Sequence, residues 1–453
     1  MGNGKNILGG VLCMLKDGIV LGKNNKTIII DQSKDNILLC GPCRCGKGVN
    51  TVIPTLKNFH KSVFAIDWHG EASHFCADDR RKMGQKAFII SPGEDDHDAH
   101  PSKFAAFNPL DEIRKECEIS DAEVISLALI SSITSSEYTP AIRQVAILIQ
   151  TAFIIICRSK IKDANLFSVL QMIKEFKEKK DANIFNIDDV TRVGFIKQAR
   201  DKFLQLSDEE INLVLTLVLD SLTFTDDIRY RSAFNKSDFK ISDLLDELNP
   251  ISVFFSLRGW HRQYIPLLRI ILHQIFNRVL ETSQLSNQTE EPKLLILLDE
   301  FPELGKIYEN EMLFFYNLKQ LPRYGIKTIV IIQDPWQIAK MLGSKNLKGF
   351  AECFGQKLFF APNIGLPIRD FEMLIQINSW NEFDNNSNFI SKVKNIIYKR
   401  IDHQSKNLKK AFLNNDVNGV LQFLRINDIF YINHGAASLI NKIHYFKDAP
   451  FNQ

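Results

Sequence analysis

The run NILLCGPCRCGKGVNTVIPTL, residues 36–56, decides the class of fold. Its first five residues, Asn36 to Cys40, form a continuous apolar stretch of strand length, as a strand buried on both faces requires. A glycine loop follows from Gly41 to Gly48, and residues 47–59 read as a helix. Strand, glycine loop and helix in that order are the context of a phosphate-binding loop. Glycines let backbone N–H groups turn inward toward phosphate oxygens. The helix N-terminus adds its partial positive charge. Gly41, Pro42, Cys43, Arg44, Cys45, Gly46, Lys47, Gly48 and Val49 are therefore the expected nucleotide-binding residues, with Lys47 reaching the β- and γ-phosphates. Such loops normally follow the lysine with a hydroxyl that binds Mg²⁺. Here that position is Gly48, so the ion is expected to rest on water or on another side chain such as Thr51.

Working outward, Ser62 to Ile66 and Lys86 to Ile90 read as further buried strands. So do Ile251 to Leu257, Leu294 to Leu298, Lys327 to Ile332 and Lys357 to Phe360, with a helix over residues 267–282. Buried strands separated by helices predict an α/β fold with a mainly parallel sheet. Between these two groups, from Cys117 to Thr225, helical signals dominate. Thr139-Pro140 places a cap before a proline at the first helical position. Asn165 can cap a helix running to Lys180, and Ser207 with Glu210 forms a capping box. The expected division is a nucleotide-binding domain over 1–114 and 231–453, interrupted by an all-α domain over 115–230.

The strand at Leu294 to Leu298 ends in Asp299-Glu300. Carboxylates at the carboxyl end of a parallel strand stand where ligands bind such sheets. Asp299 is expected to hold Mg²⁺ and Glu300 to polarise the attacking water. Gln333, at the end of the strand 327–332, is expected to touch the γ-phosphate or that water and to relay nucleotide state. ATP and Mg²⁺ are the implied ligands, and an ATPase the implied enzyme.

Composition limits the rest. The chain has 453 residues, 45% of them hydrophobic and 24% charged, which is ordinary for a globular protein larger than one core. A net charge of +3 supplies no general attraction to nucleic acid, so any basic surface is local. Lys392 to Lys410 is such a segment, with Tyr398 its one aromatic, and reads as a solvated face. No apolar run reaches about 18 residues. The nearest, Val145 to Cys157, contains Gln150, so no membrane span is expected and a cytoplasmic place is. Cys40, Cys43 and Cys45 crowd together without a second cysteine or histidine pair at zinc spacing, and read as incidental to the loop.

With these residues in view, the chain resembles the TraG/TraD-like coupling proteins of type IV secretion and conjugation. The resemblance rests first on GPCRCGKGVNTVIPTL, in which a glycine after the lysine is usual for the matching subgroup. Ile66-Asp67-Trp68-His69-Gly70-Glu71 is similar to the family's D-P-K-G-E segment, with Trp68 and His69 in place of its proline and lysine. Phe107-Asn108-Pro109-Leu110 is similar to its F-N-P-L segment, and Ser237-Asp238-Phe239 to its return into the motor domain. Leu298 to Gly305, Tyr324-Gly325-Ile326 leading to Gln333, and Tyr445 to Phe451 match its later blocks. The resemblance implies a RecA-like P-loop NTPase domain interrupted by an all-α domain, and a homo-hexameric ring, in which Arg323 is the expected arginine supplied to a neighbouring subunit, with Arg44 as the alternative. It also implies partners: type IV secretion channel components and adaptors, and a DNA–relaxase complex or protein effectors as cargo. Family members usually carry N-terminal transmembrane helices, so anchoring through a partner or a missing segment at the cytoplasmic face of the bacterial inner membrane is expected. The rival readings are a DNA translocase of the FtsK/HerA class outside secretion, and a recruitment platform that binds nucleotide without hydrolysis.

Overall fold

The computed structural model describes residues 17–24, 27–92, 104–133, 135–179, 182–185, 190–257, 262–282, 291–305, 311–343, 346–360, 428–433 and 436–443. An 11-stranded sheet organises them. Its strands are β1 (Ile19–Asn24), β2 (Thr27–Asp31), β3 (Ile37–Cys40), β4 (Ser62–Asp67), β5 (Lys86–Ile90), β6 (Ile251–Ser256), β7 (Leu294–Leu298), β8 (Ile326–Ile332), β9 (Gln356–Phe360), β10 (Asp428–Asn433) and β11 (Ala436–Asn441). Their order across the sheet is β2-β1-β11-β10-β9-β3-β8-β7-β4-β6-β5. From β9 to β5 every pairing is parallel. The wing β2-β1-β11-β10 is antiparallel and joins through β10 against β9.

The parallel strands form because both faces are covered. A π-helical turn, Gly48–Val52, runs into α1 (Ile53–Leu56), which with α2 (Glu71–Lys82) shields one face over Ile37, Val63, Ala65, Leu295 and Ile329. The alternate residues, Leu38, Phe64, Ile66, Ile296 and Val330, face a larger apolar cluster on the other side. There the cover includes α9 (Ile265–Thr282) and α10 (Glu311–Gln320). The shorter α11 (Pro335–Leu342) and α12 (Leu347–Ala351) complete that side.

Among the described residues, six α-helices lie between β5 and β6: α3 (Glu118–Ile130), α4 (Pro140–Lys160), α5 (Leu166–Lys179), α6 (Val190–Leu204), α7 (Asp208–Leu222) and α8 (Ile228–Phe234). Their starts follow local chemistry. Thr139 accepts from Ile142 N–H ahead of Pro140, Asn165 accepts from Ser168 N–H, and Ser207 with Glu210 closes a capping box. The larger apolar cluster continues from the sheet face into these helices without a break. The two crossings of the chain are stitched together: Ala106 N–H donates to Asp238, Asp238 N–H donates to Ala106, and Phe107 stacks on Phe239 at 5.0 Å.

One expectation about α4 changes. The sequence run Val145–Cys157 reads as too short to cross a membrane, yet it sits inside a helix of 21 residues that is long and apolar enough by length and composition. Of its most apolar window 67% is buried within the protein, so the apolarity is accounted for by packing against the neighbouring helices. The segments 378–388 and 392–410 and the block Tyr445 to Phe451 lie outside the described residues.

Candidate functional site

Parallel pairing brings the carboxyl ends of β3, β8, β7 and β4 to one edge, and the residues after each strand meet there. A cavity of about 560 Å³ opens at that edge. Its lining takes Cys43, Arg44, Gly46, Lys47, Gly48 and Val49 from the glycine loop, and Asp67, His69, Glu71, Asp299 and Glu300 from the ends of β4 and β7 and the start of α2. A cationic loop and carboxylates thus border one space of ligand size.

The loop's shape depends on its glycines at two places. Gly46 has φ +95°, a conformation that side chains rarely adopt. A Cβ on Gly41 would stand 2.8 Å from Phe360 Cβ and 2.9 Å from Cys45 Sγ. Gly48 differs, since a Cβ there would meet nothing within 4 Å. Arg44 also takes a positive φ of 59° without being glycine. Lys47 is buried, and its amine donates to the carbonyls of Gly41 and, at 2.9 Å, Pro42. Gly41, Pro42 and Cys45, expected among the ligand-binding residues, do not line the cavity. Their carbonyls face inward instead: those of Gly41 and Pro42 accept from Lys47, and that of Cys45 accepts from Lys442 at 2.6 Å.

Asp299 and Glu300 extend β7 by a sharp turn. Glu300 sits in the left-handed region at φ 45°, ψ 43°. For a residue other than glycine this costs about 1–2 kcal/mol and persists only where the surroundings enforce it. Three contacts do so here. Gln333 donates its amide Nε2 to both Glu300 carboxylate oxygens at 2.6 Å, and accepts at Oε1 from the Cys43 thiol at 2.9 Å. Trp68 donates its indole N–H to the Asp299 carbonyl at 2.8 Å. Arg269, from α9, donates its Nε to the Leu304 carbonyl at 2.7 Å. Burial raises the Asp299 carboxyl to about 7, the negative Glu300 adds to the rise, and Lys47 opposes it.

These residues fit a divalent ion. Oxygen donors suit Mg²⁺, and a carboxylate held near neutrality by loss of water and a like charge is one whose anion a cation would stabilise. Gly48 contributes no hydroxyl. Thr51 is fully buried, and its hydroxyl accepts from Asn50 at 2.9 Å, so it does not replace the missing group at the cavity. Asp67 has both carboxylate oxygens committed to α2, accepting from the Ala72 and Ser73 N–H groups at 3.2 and 2.7 Å.

Arg323 lies apart from this assembly. It is exposed in the 3-10 turn Leu321–Tyr324, at the amino end of β8. The seven residues of that strand separate it from Gln333, a span of roughly 20 Å. It does not reach the cavity of its own chain. Sequence reasoning left Trp68, Asn50 and Lys442 without roles. For Trp68 the available signal is an indole directly after a buried strand, since its N–H must find a partner.

The comparisons with known proteins agree on one group. Residues 4–363 match the family model described as Type IV secretory system Conjugative DNA transfer. The conjugal transfer protein TraG of Escherichia coli is 28% identical over 318 residues, 66% of this chain and 48% of that protein. Protein VirD4 of Rhizobium radiobacter is 25% identical over 363 residues, 72% of this chain and 51% of that protein. The chain therefore spans about half the length of the curated relatives it matches. Among solved structures, the bacterial conjugative coupling protein TrwBdeltaN70 in its unbound form superposes with a TM-score of 0.54 at 14% identity, covering 97% of this chain and 92% of that one. TrwB in complex with ADP and Mg²⁺ gives 0.54 at 13% identity, covering 98% and 95%. VirB4 of Thermoanaerobacter pseudethanolicus gives 0.54 at 12%, covering 95% and 97%. At these identities the likeness carries the fold alone, and that fold is the RecA-like α/β architecture.

Proposed function

Since the chain belongs to the type IV secretory system conjugative DNA transfer family, we propose that it is a coupling ATPase, which binds and hydrolyses ATP in this cavity to deliver DNA–protein or protein substrates to a type IV secretion channel. The observation that carries the reading is the meeting of Lys47, Asp299 and Glu300 in the lining of one cavity. Lys47 leaves the Gly41 and Pro42 carbonyls to pair the β- and γ-phosphates, and the loop amides of residues 44–49 cradle them. When bound, Mg²⁺ would supply charge neutralisation at the phosphates. Asp299 would hold it, and Gly48 offers it no hydroxyl. Glu300, its carboxylate fixed by Gln333, accepts hydrogen from the attacking water. The bond from Gln333 onward to Cys43 joins the water side of the site to the phosphate loop, so a change at either is felt at the other.

The larger assignments rest on the family. They are the division into a nucleotide-binding domain over 1–114 and 231–453 with an all-α domain over 115–230, and a homo-hexamer with Arg323 donated to the neighbouring site. They include docking to channel components and adaptors, and a place at the cytoplasmic face of the bacterial inner membrane. TrwB in complex with ADP and Mg²⁺ supports the choice of ligands. The test is steady-state ATP turnover beside nucleotide binding. Glu300→Gln is expected to lower turnover by about 10²–10⁴-fold while binding nucleotide within a few-fold of the parent, and Lys47→Ala to abolish turnover. Undiminished turnover in Lys47→Ala removes this cavity as the hydrolytic site. Tight binding with no turnover in the parent chain favours a recruitment platform instead.

A further inference from the structure

β4 and β7 pair in register from Ser62 opposite Leu294 to Ile66 opposite Leu298. Just past that ladder β7 leaves the sheet through the strained turn at Glu300. Trp68, the residue after β4, bridges the gap with its indole N–H on the Asp299 carbonyl at 2.8 Å. The ring is 2% exposed and belongs to the larger apolar cluster. Packing alone would be served by a phenylalanine. An indole brings an N–H that must be bonded when buried, and the acceptor here is the main chain between the two site carboxylates.

That peptide group has two ends. Its carbonyl accepts from Trp68, and its N–H, belonging to Glu300, donates to Asp299 Oδ1 at 3.0 Å. Fixing the carbonyl fixes the peptide plane. The plane in turn sets where the Glu300 N–H points, and so how the Asp299 carboxylate is turned. It also sets the direction in which the chain enters Glu300.

Resting on the reading of this cavity as an ATP-hydrolysing site, we propose that Trp68 is a positioning residue for the reaction: its indole N–H locks the peptide between Asp299 and Glu300, so that the metal-side and water-side carboxylates are presented together. Gln333 restrains the far end of Glu300 and Trp68 restrains its root. The phosphate loop meets this turn through Gln333 and Cys43 rather than through Trp68.

The test uses the full chain with two replacements at position 68: Trp68→Phe, and incorporation of 3-benzothienylalanine, which keeps the shape of the ring and lacks the N–H. Turnover, the Mg²⁺ concentration giving half-maximal rate, nucleotide affinity and the thermal midpoint are measured for each. Loss of one positioning hydrogen bond is expected to lower kcat by about tenfold. The half-saturating Mg²⁺ concentration should rise several-fold, with nucleotide affinity within about twofold and the midpoint of the benzothienyl protein unchanged. Full kcat and unaltered Mg²⁺ dependence in the benzothienyl protein overturn the proposal. So does a loss of rate matched by an equal loss of nucleotide binding and of thermal midpoint, which marks a merely structural tryptophan. Lys47→Ala measured alongside separates the two levels. If it is inactive while both position-68 proteins keep full rate, only the positioning role falls. If it turns over ATP like the parent, the hydrolytic reading of the cavity falls as well.

Discussion

Asp299 is a carboxyl group that folding holds protonated, and this has a consequence for stability. Burial and the neighbouring Glu300 raise its folded value to about 7 from the ordinary 3.8. Between those values the folded chain binds a proton that the unfolded chain has released. Its contribution is therefore fully present below about pH 4 and is lost as pH rises through about 7. Asp299→Asn removes that loss, so the variant is expected to gain on the parent by up to a few kcal/mol at pH 8, by about a third of that at pH 5 and by little at pH 3, as read by urea unfolding across that range. Parallel curves across these pH values would show that the site is wetter than its geometry implies. A second residue-scale prediction concerns Gly48, where a side chain meets open space. Gly48→Ser is expected to fold with an unchanged thermal midpoint and to lower the half-saturating Mg²⁺ concentration for turnover. By contrast Gly46→Ala, at φ +95°, should destabilise by about 1 kcal/mol or more. A weaker Mg²⁺ response in Gly48→Ser would place the ion away from that position.

At the scale of elements, the antiparallel wing supports the phosphate loop. Asn50 is fully buried just inside the helix that follows the loop. It donates to the Leu21 carbonyl of β1 at 3.2 Å and accepts from Ile443 N–H beyond β11. Asn50→Ala strands both backbone groups and is expected to cost about 2–3 kcal/mol, measured by urea unfolding; a cost under half of that would mean water reaches the groups. This wing is also the part that sequence reading missed. The strands from β3 to β9 were legible, to within a residue at either end, because burial on both faces makes them continuous apolar runs such as Leu294–Leu298. β2 and β10 mix polar ends with apolar middles, as Thr27–Asp31 and Asp428–Asn433, and so give a weak signal. The clue available was spacing: β1 and β2 are separated by two residues, as are β10 and β11, the commonest hairpin connection. In the site, Lys47, Asp299, Glu300 and Gln333 could be read because each follows a legible strand. Trp68, an indole directly after a buried strand, signals that its N–H needs a partner, but that the partner is the Asp299 carbonyl across the sheet is set by the fold and not by the local sequence.

For the whole molecule, the helices from α3 to α8 share one apolar cluster with the sheet, and α3 packs on α9. An excised fragment of residues 115–230 would expose the surface of α3 that packs on α9. It is expected to bind a hydrophobic dye and to unfold without a sharp transition, in contrast to the full chain; a sharp transition without dye binding would show that these helices need no sheet. The contact of Lys442 with the Cys45 carbonyl joins residues 397 apart in sequence. During synthesis the glycine loop therefore leaves the ribosome long before the strand that braces it. The brace on the glycine loop is thus completed only once nearly the whole polypeptide has emerged.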